Sequence, residues 1–253
     1  MSLQSIFRNG NLSIKDYSKI PGVSKVIKTG SVIKSSIQND NKCQQEYNRF
    51  IKSIVKHIGD THSPKTGLDY LEHFFYYVCA NFSYDYQEFE NWKRCRSSKT
   101  SYKPMQQISF RQNGNLISIN KRGNDPRAII FGKKGMCGDY ALLVKDFCDE
   151  VSKTTGVNLK CDVVHGNDYT HSWNVITDGK LSVPFDISNY LQFNKTGRTR
   201  FIPVFESCII DSYKYLHNYP KSYSKKRTSE KVTNYVLQNR RRIKDAKYQK
   251  NFK

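Results

Sequence analysis

Cys137, His171 and Asp186 are the three residue types of nucleophilic acyl transfer. A thiolate attacks a carbonyl carbon, an imidazole manages the proton, and a carboxylate orients the imidazole. Their settings suit those roles. Cys137 follows the Gly-bearing segment Phe131-Gly132-Lys133-Lys134-Gly135-Met136, expected to be a loop. It begins a run in which Cys137, Ala141, Val144, Cys148 and Val151 recur at helical spacing, with Leu142 and Phe147 widening the stripe. A helix N-terminus stabilises negative charge through its unpaired N–H groups and its dipole, which favours thiolate there. His171 and Asp186 lie in two strand-like runs, Thr170–Thr177 and Lys180–Ile187, joined by the hairpin signal Asp178-Gly179. A two-residue turn at 178–179 pairs positions whose numbers total 357, which predicts that His171 stands directly opposite Asp186.

Each residue has a plainer competing role. Cys79, Cys148 and Cys161 sit on apolar stripes and read as small core residues. Cys137 does not, because a first-turn residue behind Gly-Met sits at an edge. His165 ends a strand before Gly166 and reads as a structural hydrogen-bond partner. Asp186 could cap a turn before Ser188-Asn189, and Trp173, on the face of His171, either lines the cleft or packs. The set Cys137, Cys161, His165 and His171 has no common zinc spacing, so no metal is expected.

These residues need a scaffold. Tyr47, Phe50, Ile51, Ile54 and Ile58 predict a helix over 43–58. Leu68, Leu71, Phe75, Val78 and Phe82 predict a second, ending near Asn81 before Ser83-Tyr84-Asp85-Tyr86. Residues 87–130 resist assignment, apart from short runs at Ile108–Phe110 and Leu116–Ile119 around the turn signal Asn113-Gly114. Thr155-Gly156 ends the Cys137 helix, and Leu159–His165 is a further strand. The order helix, strand, strand, strand predicts an α+β fold, with the Cys-bearing helix packed on an antiparallel sheet.

Four motifs in this order resemble the transglutaminase-like superfamily with its papain-like Cys-His-Asp core. They are Gly135-Met136-Cys137-Gly138-Asp139-Tyr140-Ala141, His171-Ser172-Trp173-Asn174-Val175, Asp178-Gly179-Lys180, and Val183-Pro184-Phe185-Asp186. The resemblance covers roughly residues 66–190. It implies a nucleophilic Cys137, a general base His171 and an orienting Asp186, acting on a carboxamide of a protein or peptide substrate. It implies no cofactor. The Cys137 backbone N–H is one expected oxyanion donor. The family places a second upstream, where Trp92, Gln106 and Gln107 are the candidates.

Charge divides the chain of 253 residues, which has 42 Lys+Arg against 22 Asp+Glu. Residues 1–65 hold 11 basic and 4 acidic residues, 66–213 hold 18 and 16, and 214–253 hold 13 and 2. The near-neutral middle predicts a catalytic core at 66–213 between a basic N-terminal extension, partly disordered or helical, and a basic helical tail. The tail is a candidate patch for nucleic acid or anionic membrane. The competing function is therefore a basic binding module whose triad is vestigial. No apolar run approaches the ~18 residues of a membrane span. The absence of a Sec-type leader and of any C-x-x-C pair among seven cysteines leads to the expectation of a reducing, cytoplasmic compartment.

Overall fold

The computed structural model describes residues 37–166, 170–179, 181–194 and 203–217. Helix α1 (Ile37–His62) turns Tyr47, Phe50, Ile51, Ile54 and Ile58 inward, and all five are buried. Helix α2 (Gly67–Asn81) starts where Thr66 Oγ1 accepts from the Asp69 N–H at 3.2 Å and the Asp69 carboxylate accepts from the Thr66 N–H at 3.0 Å. Leu71, Phe74, Phe75 and Val78 form its inner face. Both helices belong to one hydrophobic core. The boundary expected at 65/66 therefore falls between two helices of the same body. The charge pattern could not show this, because net charge does not report the apolar stripe that α1 buries.

Strand β1 (Ser83–Tyr84) leads into helix α3 (Tyr86–Ser97), which sequence periodicity did not reveal. Helix α3 starts at Asp85, whose carboxylate accepts from the Glu88 N–H at 3.1 Å. It buries few residues, so it carries no apolar stripe to read. Strands β2 (Gln107–Gln112) and β3 (Asn115–Asn120) form the expected hairpin. Asn113 and Gly114 both have positive φ, 50° and 80°, as a primed turn requires. The segment 131–136, expected as a loop, is more ordered. Phe131 and Gly132 end helix α4 (Arg127–Gly132), Lys133 is left-handed at φ 64°, and strand β4 (Lys134–Gly135) pairs in parallel with β1.

Helix α5 (Cys137–Thr155) begins at Cys137 and stops at Gly156, whose φ is 73°. Strands β5 (Leu159–His165), β6 (Ser172–Asp178) and β7 (Leu181–Phe185) form an antiparallel sheet in that order. Helices α6 (Ile187–Asn194) and α7 (Phe205–His217) follow. The arrangement is α+β. Phe147 of α5 stacks on Phe74 of α2 with centroids 3.9 Å apart. Asn174 of β6 donates to the Ala141 carbonyl at 2.9 Å, fixing α5 on the sheet. The basic tail expected at 214–253 lies almost wholly outside the described residues, as does the N-terminal extension before residue 37.

The β6–β7 register differs from the expected one. Asn174 pairs with Phe185 and Asp178 with Leu181, so paired numbers total 359. Asp178 is the last residue of its strand rather than part of the turn. Its carboxylate accepts from the Leu68 N–H at 2.9 Å, which ties the strand end to the start of α2. The strand Thr170–Thr177 also starts later than expected, at Ser172. The pairing total shifts by two, so each residue keeps its face.

Candidate active site

With this register, Asp186 is not opposite His171 but diagonal to it, just beyond the end of β7. Diagonal neighbours lie roughly 7–8 Å apart at the backbone, which long or aromatic side chains can bridge. They do so here: His171 Nε2 and Asp186 Oδ2 are 2.5 Å apart. The Cys137 thiol lies near enough to the His171 imidazole to be one of the influences that raise its pKa. The structure thus brings Cys137, His171 and Asp186 together from a helix start and two neighbouring strand ends.

Asp186 makes the contacts that both readings of it require. Oδ2 faces His171, while Oδ1 accepts from Ser188 Oγ at 2.7 Å and from the Asn189 N–H at 3.0 Å, capping α6. Its own N–H donates to Ser212 Oγ of α7 at 2.9 Å. Ser212 was not foreseen, because nothing local in sequence links positions 186 and 212. His165 is a structural partner, with Nδ1 2.8 Å from Ser172 Oγ. Trp173 packs: it is buried with Val164 and Val175, and it stacks on the imidazole with centroids 5.6 Å apart.

The start of α5 rests on buried charge. Asp139 Oδ2 accepts from the Met136 N–H at 2.8 Å and pairs with Lys121 Nζ at 2.5 Å, with neither side chain exposed. Sequence reading missed this pair, although an acidic residue at the third position of a helix is the one that reaches back to the N-cap N–H in a capping box. Tyr140 donates to the Ser83 carbonyl at 2.8 Å and secures β1 beside the helix start. Tyr84 of β1 is buried, and burial with the nearby Cys137 and Asp186 pushes its phenol pKa up. It therefore stays a neutral O–H.

The three candidate oxyanion donors have other neighbours. Gln106 Nε2 donates to the carbonyls of Ala128 and Lys134, both at 3.4 Å. Gln107 is exposed at the start of β2, opposite Asn120. Trp92 stacks on Phe89 at 5.9 Å, with the Arg96 guanidinium over its ring. Among the described residues, no group of three or more His, Cys, Asp or Glu is arranged to hold a metal ion. No described helix is long and apolar enough to cross a membrane.

Burial alone would lower the pKa of His171. The Asp186 charge and hydrogen bond, with the hydrogen bond from Cys137, outweigh burial and raise it from 6.5 to about 10. A raised folded-state value means the folded protein holds a proton that the unfolded chain releases. The pair's contribution to stability is therefore full below pH 6.5 and lost as pH rises through about 10. Urea unfolding of the natural protein and of His171→Ala should show a stability gap that is larger at pH 6 than at pH 10. A gap independent of pH would refute the charged pair.

No protein-family model matches this chain, and no curated protein matches it. A solved structure described as that of a TGase is similar over 75% of this chain and 41% of its own length, at 14% identity and a TM-score of 0.36. This chain thus spans less than half of that protein.

Proposed function

We propose that this chain is a cysteine-dependent acyl-transfer enzyme of transglutaminase-like or cysteine-protease type. One observation carries the reading: the Asp186 carboxylate is 2.5 Å from the His171 imidazole, and Cys137 at the start of α5 is near enough to that imidazole to help raise its pKa. The Cys137 thiolate adds to the carbon of a substrate carboxamide. The His171 imidazolium gives its proton to the departing amine, the C–N bond breaks, and a thioester remains on Cys137. His171, now neutral, takes a proton from the incoming nucleophile as the thioester is cleaved. Water gives hydrolysis or deamidation, and an amine gives transamidation. Asp186 holds the ring and balances its charge throughout.

Alkylation tests this directly. Cys43, Cys79, Cys148, Cys161 and Cys208 are buried, so Cys95, partly exposed like Cys137, is a built-in control. Iodoacetamide at pH 6, with sites located by mass spectrometry, should modify Cys137 well before Cys95. Equal labelling of the two would remove the nucleophile assignment.

A further inference from the structure

A short connection before α4 reaches the first turn of the nucleophile helix. A Cβ built on Gly138 would come within 2.3 Å of Asn124 Cγ and Oδ1 and 2.5 Å of its Nδ2. The Asn124 amide therefore lies flat on the Cα of the residue after Cys137, an approach that only glycine allows. Consecutive Cα atoms are ~3.8 Å apart, so this amide is within about 8 Å of the Cys137 Cα. Asn124 is exposed, as are Arg122 and Gly123.

The base of the connection is buried and fixed. A single carboxylate, Asp139, holds both ends: Oδ2 pairs with Lys121 Nζ at 2.5 Å, and Oδ1 accepts from the Asp125 N–H at 2.7 Å. Arg127 grips Asp125 through Nε at 2.9 Å and its terminal nitrogen at 2.8 Å. Gly123, at φ +57°, turns the chain between these anchors. Asp139 also accepts from the Met136 N–H, immediately before Cys137. The exposed tip and the nucleophile thus share one rigid anchor, the condition for a preorganised donor.

We propose that Asn124 donates the second hydrogen bond to the substrate's carbonyl oxygen, beside the backbone N–H of Cys137. The proposal rests on the acyl-transfer reading of Cys137. As the thiolate adds to the carbonyl carbon, the C=O π pair moves onto oxygen, and the Asn124 N–H stabilises that charge. When the leaving group departs, the pair returns to re-form C=O. A side-chain amide donor of this kind is worth about 10²–10³ in kcat.

The probes are p-nitrophenyl acetate, whose acyl transfer passes through an oxyanion, and iodoacetamide, whose substitution at sulfur does not. Asn124→Ala should lower the rate of p-nitrophenol release by about 10²-fold with KM little changed, and should leave the alkylation rate of Cys137 unchanged. Asn124→Asp, which keeps the shape but puts a negative charge there, should lose at least as much. Gly138→Ala should lose activity in the same direction by displacing the amide. Unchanged acyl transfer in Asn124→Ala overturns the proposal while Cys137 stays the nucleophile. A parallel fall in alkylation also overturns it, because the residue would then act on the thiol. If the natural protein neither releases p-nitrophenol nor alkylates at Cys137, the acyl-transfer reading itself fails and this proposal with it.

Discussion

Replacing His171 with alanine is expected to slow release of p-nitrophenol from p-nitrophenyl acetate by about 10²–10⁴-fold, the usual worth of positioned proton transfer. The loss arises in two places. The imidazole beside Cys137 is gone, so alkylation of Cys137 at pH 6 should slow as well. The base that activates the second nucleophile is also gone, so any thioester that forms should persist long enough to be seen by mass spectrometry. The variant should still fold, because Ser188 and Asn189 continue to hold Asp186 Oδ1. Asp186→Asn separates charge from contact. It keeps the bulk beside His171 but removes the main influence raising its pKa, which should drop from about 10 towards 6.5. An alanine variant with activity within threefold of the natural protein would show that His171 takes no part in proton transfer.

Lys121→Met is expected to be the most destabilising single substitution near the site. The Lys121 and Asp139 side chains are both fully buried, and removing one partner of such a pair typically costs about 3–5 kcal/mol. Burial already pushes the Asp139 carboxyl upward, and Lys121 is the principal influence opposing it. Without Lys121, Asp139 rises further and takes up a proton. A carboxyl with a raised folded-state value favours the folded protein at low pH, and that advantage falls as pH rises through the folded value. The variant should therefore be less stable at pH 8 than at pH 5, by urea unfolding. The double variant Lys121→Met/Asp139→Asn should recover part of the loss, since no unpaired charge stays buried. A loss below 1 kcal/mol in Lys121→Met, equal at both pH values, would show that the pair does not hold the start of α5.

Much of the scaffold was legible from local pattern. Apolar residues at helical spacing placed α1, α2 and α5, because a helix that buries one face must repeat its apolar residues every three or four positions. Asn113-Gly114 and Gly156 marked their turn and cap because few residues accept a positive φ. By contrast, α3 was illegible: its stability comes from the Asp85 cap and from contacts of its aromatic residues, such as Tyr84 with Phe89, rather than from an apolar stripe. The boundary expected at 65/66 lies between α1 and α2, whose buried residues share one core, and net charge carries no record of such packing.

The sequence by itself nominated the side chains of the candidate site and the common face of the hairpin on which two of them lie. Period-two alternation kept His171 and Asp186 on a common face even though the hairpin register was expected two residues away from where it stands. Only the tertiary structure decided how they meet. The β6–β7 register, with Asp178 held at the strand end by the Leu68 N–H, makes the His171–Asp186 contact diagonal. Ser212 of α7 fixed the Asp186 backbone from 26 residues away. Asp139 and Lys121 drew residues 121–125 over the first turn of α5, bringing Asn124 onto Gly138. Such contacts join residues distant in the chain, and their partners are chosen by packing and by the need to pair buried charge, neither of which leaves a periodic trace in sequence.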